Sequence, residues 1–178
     1  MGLQKYFIAI ILPPPVLEEA EAVKQELYDV HGLKGALRSP AHITLHRPFQ
    51  WKEEKEGKLL EGLAAFRSGI HPTIRLSGFG AFDNRVIFIN VKPDNELATL
   101  HTSLALHCKR NLRLFNEADD MREFTPHVTV ASRDLKKNKF NELWASFLIR
   151  PFEGQFKCTE IHLLKLAERW NPFHSFRL

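Results

Sequence analysis

Four places in this chain set a histidine two residues before a hydroxyl: His42-Ile-Thr44, His71-Pro-Thr73, His101-Thr-Ser103 and His127-Val-Thr129. With nine His and 14 Ser and Thr in 178 residues, fewer than one such match is expected by chance. Context separates the four. His101-Thr-Ser103 lies in a helical register, where side chains two residues apart diverge around the axis. His71-Pro-Thr73 has proline at its centre, which suits a strand start or edge. At His42 and His127 the intervening and following residues are apolar, Ile43/Leu45 and Val128/Val130. Side chains alternate across a strand, so each of these pairs puts an imidazole and a hydroxyl on one face with an apolar anchor behind.

Two such pairs brought together would suit phosphodiester cleavage. That reaction needs a base for the attacking oxygen and an acid for the leaving oxygen, on opposite sides of phosphorus. Histidine can serve as either near neutrality. Threonine hydroxyls can hold the non-bridging oxygens between the rings. Such a site requires no metal or other cofactor. His42 and His46 have the four-residue spacing of HExxH, but that zinc motif needs a helix and a Glu. The intervening Ile-Thr-Leu is strand-like and supplies no carboxylate.

The elements around the pairs repeat. A strand at Tyr6–Leu12 is followed by Pro13, an amphipathic helix at Val16–Tyr28, a basic loop, Pro40 and the strand opening at His42. A strand at Arg85–Lys92 is followed by Pro93, a helix at Asn95–Leu112, a loop, Pro126 and the strand opening at His127. The two copies, roughly residues 5–50 and 85–133, suggest a duplication and two pseudo-symmetric lobes. Further strands are expected at Thr73–Phe82, Phe152–Lys157, Glu160–Ala167 and His174–Leu178, with a turn at Asn171–Pro172, and further helices at Glu53–Phe66 and Leu135–Leu148. The expected fold class is α+β: two lobes, each a mainly antiparallel sheet with outer helices and the site in the cleft between them. No linker or composition break divides residues 1–178, so one bilobal domain is expected.

Composition narrows the partners. The chain is 44% hydrophobic and 26% charged, with 14 Phe and 3 Trp to bury, which excludes disorder. Two isolated cysteines, Cys108 and Cys158, exclude a disulfide framework and suit a reducing cytosol. No apolar run approaches the roughly 20 residues of a membrane span. A cytoplasmic monomer is expected. The net charge of +4 sits wholly in residues 133–178, with 9 Lys+Arg against 5 Asp+Glu. Nearer the motifs, Lys34, Arg38, Arg47 and Lys52 are unopposed through Val30–Lys52, whereas Glu117–Glu123 holds four acids. That distribution suits a phosphate-sized anion at least as well as a long polymer.

On these residues the sequence resembles the two-histidine (2H) phosphoesterase superfamily, and within it the 2′-5′ RNA ligase, or RNA 2′,3′-cyclic phosphodiesterase, family. KYFIAIILP is similar to the family's opening strand and SPAHITLHRPF to its first motif. GFGAFDNRVIFINV resembles its mid-chain hairpin and FTPHVTVASR its second motif. The resemblance implies that His42 and His127 are the acid–base pair and Thr44 and Thr129 the phosphate ligands. It also implies RNA termini or small cyclic nucleotides as substrates. Two departures stand out. Where the family often has a basic residue after the first motif, this chain has His46 and then Arg47; His46 has the strand parity of His42 and Thr44 and is a candidate for substrate binding. The family's Arg five residues after the second His is Ser132 here, with Arg133 following as the candidate. Tyr6, Phe7, Phe49 and Phe82 could stack on a base or pack the core. The competing reading is a nucleotide- or RNA-binding module of the same fold with little turnover.

Overall fold

The computed structural model describes residues 2–116 and 124–178; the acidic stretch Glu117–Glu123 lies outside them. The chain runs β1 (Leu3–Ile11), α1 (Val16–His31), β2 (His42–Lys52), α2 (Glu56–Ala64), β3 (Thr73–Phe82), β4 (Val86–Val91), α3 (Asn95–His107), β5 (His127–Ala131), α4 (Lys137–Ile149), β6 (Glu153–Lys157), β7 (Glu160–Leu166) and β8 (Trp170–Arg177). Helix α1 ends where Gly32 takes φ 69°, with Gly32 N–H bonded to Tyr28 O and Leu33 N–H to Leu27 O. Those paired bonds and the left-handed residue satisfy the last carbonyls, and glycine adopts that conformation without steric cost. Helix α3 starts on Asp94, whose carboxylate accepts from Leu97 N–H, and runs into a π-helical turn at Cys108–Leu112.

The strands form two antiparallel sheets of four, ordered β2-β1-β7-β8 and β5-β4-β3-β6. The two orders correspond. In each sheet one edge strand carries a His-x-Thr pair, its neighbour is the strand that precedes it by one helix, and the two motif strands β2 and β5 lie against each other. The α+β expectation with two pseudo-symmetric lobes therefore holds. Two of the helices, however, are exchanged. Helix α1, which joins β1 to β2 in the first sheet, packs on β5 and β6 of the second; α3, which joins β4 to β5, packs on β2. One continuous apolar core consequently runs through both lobes, from Ile8, Ile10 and Ile43 to Ile89, Leu100 and Val128. On the opposite face of the first sheet Phe7, Ala9 and Leu164 form a separate small cluster, with Ile11 and Trp170 against it.

One expected turn is corrected. Asn171–Pro172 lies inside β8, where Leu164 pairs with Pro172 beside a bulge. Proline is tolerated there because β8 is an edge strand and the missing N–H breaks no ladder. The chain instead reverses at Ala167–Arg169, closed by Ala167 N–H to Arg169 O.

Candidate active site

His42 and Thr44 pair with Ile11 and Ala9 of β1; His127 and Thr129 pair with Asn90 and Phe88 of β4. Alternation works as expected in both strands: Ile43, Leu45, Val128 and Val130 are each at most 1% exposed, while the His and Thr side chains remain partly accessible on the other face. The two rings are held alike. His42 Nδ1–H donates to Pro40 O at 2.6 Å and His127 Nδ1–H to Thr125 O at 2.8 Å, each the carbonyl two residues earlier. A carbonyl can only accept, so both rings carry a proton on Nδ1, which in the neutral ring makes Nε2 the acceptor nitrogen. Each ring also packs on aromatic rings: His42 on Phe7 (4.9 Å), itself edge-on to Trp170, and His127 on Phe82 (5.0 Å) and Phe88 (5.2 Å).

That packing governs the charge of the rings. Burial pushes His42 down to about 4, opposed by the Pro40 carbonyl and reinforced by the charges of Lys24 and His127. Burial also lowers His127, opposed by the Thr125 carbonyl. Both imidazoles are thus neutral at pH 7 in the free protein, and a bound phosphate would favour protonation.

Two adjoining pockets meet at Thr44. One, of about 190 Å³, is lined by His42, Thr44, Thr129 and Arg133, with Phe7 and Trp170 as its apolar wall. The other, of about 550 Å³, is lined by Thr44, His127, Arg47, Phe82, His101 and Phe124. All four His and Thr candidates therefore border one composite cleft. Arg47 and Arg133 border it from opposite pockets. Arg133 gets there on a tight turn: its φ is 62° and Asp134 N–H bonds Ser132 O across it at 2.7 Å, the mark of a γ-turn.

The parity expectation for His46 fails. Thr44 pairs with Ala9 but His46 pairs with Ile8, so β2 has gained a residue at Leu45. This bulge turns His46 to the core face, where it is 1% exposed, packs edge-on to Phe49 and bonds Arg47 O through Nδ1. His46 lines neither pocket. Of the aromatic candidates, Phe7 and Phe82 border the cleft. Tyr6 is fully buried with its hydroxyl on Glu56, and Phe49 stacks on Tyr6.

Three residues at or beside the cleft carry no signal of that placement in the sequence. Trp170 is brought to the cleft only by the pairing of β8 with β7. His101 reaches the wider pocket, stacked on Phe124 at 3.8 Å and 6°; helical parity separated it from Ser103 but did not bar it from the cleft. Asp134 accepts from Lys34 N–H (2.7 Å) and Gly35 N–H (3.0 Å), fastening the loop that carries Arg38 and Ser39 to the end of β5.

A fold of two pseudo-symmetric lobes, each donating one His-x-Thr pair to a common cleft, defines the class. Residues 12–170 match the sequence profile of the 2′-5′ RNA ligase superfamily, and the chain belongs to that family of two-histidine phosphoesterases. A Geobacillus kaustophilus protein named as a candidate phosphoesterase is 26% identical over 97% of this chain and 95% of its own. Among solved structures, E. coli LigT complexed with 3′-AMP matches at a TM-score of 0.70 and 23% identity, over 99% of both chains. TT0787 of Thermus thermophilus matches at 0.63 and 20%, over 98% of this chain and 97% of that one. At these identities the structural likeness is one of fold.

Proposed function

We propose that this protein is a metal-independent phosphodiesterase that opens nucleotide or RNA 2′,3′-cyclic phosphates by two-histidine acid–base catalysis. The reverse direction would be ATP-independent 2′-5′ joining. The observation that carries the reading is the matched presentation of two imidazoles, each fixed through Nδ1 to the carbonyl two residues back, beside two threonines in one cleft. Membership of the family supports it, as does the binding of 3′-AMP by LigT. No helix among the described residues is long and apolar enough to cross a membrane. A cytoplasmic monomer remains part of the reading.

In hydrolysis one imidazole takes a proton from water at Nε2 as the water oxygen bonds to phosphorus. The bond from phosphorus to the 2′ or the 3′ oxygen breaks, and the other histidine, protonated at Nε2, gives its proton to that oxygen. Water is added across one P–O bond and the two rings exchange protonation states. Thr44 and Thr129 hold the non-bridging oxygens, while Arg47 and Arg133 bind the substrate's anionic surroundings from the two pockets.

The test is direct. Purified protein is incubated with 2′,3′-cyclic AMP and with RNA ending in a cyclic phosphate, in EDTA, and the product is followed by ³¹P NMR. Conversion to a monoester is expected. Nucleotide binding without turnover would overturn the reading in favour of the binding module.

A further inference from the structure

Among the described residues Lys24, His46 and His101 carry buried nitrogen-bearing side chains. Lys24 is the charged one, 1% exposed, on the face of α1 that meets the residues before β2. Its Nζ donates to Ser39 O at 2.7 Å and to Glu21 Oε1 at 2.8 Å. The same Glu21 oxygen accepts from Ala41 N–H at 2.6 Å. Ala41 O in turn accepts from Leu12 N–H at 3.1 Å, and Pro40 O accepts from His42 Nδ1–H. Every one of these groups on the tripeptide before His42 is therefore tied down, two of them by the Lys24–Glu21 pair.

A buried lysine costs folding energy unless paired, and replacing such a pair with apolar side chains is often neutral or stabilising. A need for stability alone thus does not explain its place. We propose that Lys24 and Glu21 are positioning residues for His42: they hold the Ser39–Ala41 backbone that orients its imidazole, and they set the electrostatic field behind it. The proposal rests on the reading of His42 as an acid–base group. The other half makes an instructive contrast. Ser39 and Phe124 each stand three residues before a motif histidine; Lys24 secures the first through its ammonium, whereas the His101 ring secures the second by stacking. The two catalytic histidines are accordingly braced by groups of different chemistry.

The charged and titratable groups around His42 are Lys24 and Glu21 on α1, His127 on β5, and Arg38 and Arg133 on the pocket rim. Lys24 disfavours a proton on His42 and Glu21 favours one. The two substitutions should therefore act in opposite directions. Imidazole titration by NMR in the free protein should move His42 upward by about half a unit or more in Lys24→Met, and downward in Glu21→Gln, which keeps the acceptor for Ala41 N–H. A purely structural role would shift both the same way or neither. Should Lys24→Met fail to fold, Glu21→Gln still decides by its sign. In turnover, Lys24→Met should lower kcat about 10-fold with KM nearly unchanged, as loss of a supporting contact does. His42 titrating as in wild type in both variants, or moving the same way in both, would overturn the proposal. The titration needs no activity, so wild type that titrates as described but hydrolyses nothing would reject the phosphodiesterase reading alone.

Discussion

His42 and Thr44 show how little chain is needed to specify half of the proposed site. Strand alternation puts Ile43 and Leu45 into the core and the imidazole and hydroxyl into the cleft, and the carbonyl of Pro40 fixes the tautomer. The same rule misplaces His46, because a bulge is a property of two strands in register and β2 alone does not reveal it. Lys24 was equally illegible. On an amphipathic helix it looks like one more solvated charge, and its burial and its bond to Ser39 O depend on chain that lies elsewhere in the sequence. Burial of His42 also has a cost in acid. Its folded pKa, near 4, lies below the 6.5 of an exposed imidazole, so its contribution is complete above about pH 6.5 and is lost as pH falls toward 4. We expect His42 to contribute at most about 3 kcal/mol to the fall in unfolding free energy across that window, and His42→Asn to flatten that part of the decline in denaturant titrations at several pH values.

Elements carry the next layer. Strand positions were readable from apolar runs bounded by Pro and Gly, and β3 and β5 fall where expected. The loop geometry was not, because it depends on contacts about 100 residues apart. Asp134 binds the amides of Lys34 and Gly35, and Gly35 sits so close that a Cβ would lie 2.5 Å from Ser132 O and 2.7 Å from Asp134 Oδ1. Gly35→Ala should therefore push the loop off β5, destabilising by about 1–3 kcal/mol in chemical denaturation and weakening substrate binding on the Arg38 and Arg133 side. Asp134→Ala, which strips two amides of their acceptor, should cost about 1–3 kcal/mol. A thermal midpoint unchanged in both would show that this latch does not hold the loop.

At the scale of the molecule, the repeat of strand, helix and His-x-Thr was legible, and so was a cleft shared by two lobes. The exchange of helices was not. Amphipathic helices declare an apolar face but not which sheet receives it, and α1 crosses to β5 and β6. One large apolar core spans both sheets, so we expect one cooperative transition. Denaturation followed by far-UV circular dichroism and by fluorescence of Trp51, Trp144 and Trp170 should coincide; separate midpoints would mean that the lobes fold independently. The same interlocking makes the two histidines one unit, since the strands that carry them are braced from opposite lobes. The decisive measurement is hydrolysis of a 2′,3′-cyclic nucleotide in EDTA by His42→Ala, His127→Ala and the double variant. Each single change should cut kcat by about 10²–10⁴-fold, and the double variant should be little worse than either. Near wild-type turnover in either single variant, or losses that simply multiply in the double, would contradict acid–base catalysis by the pair.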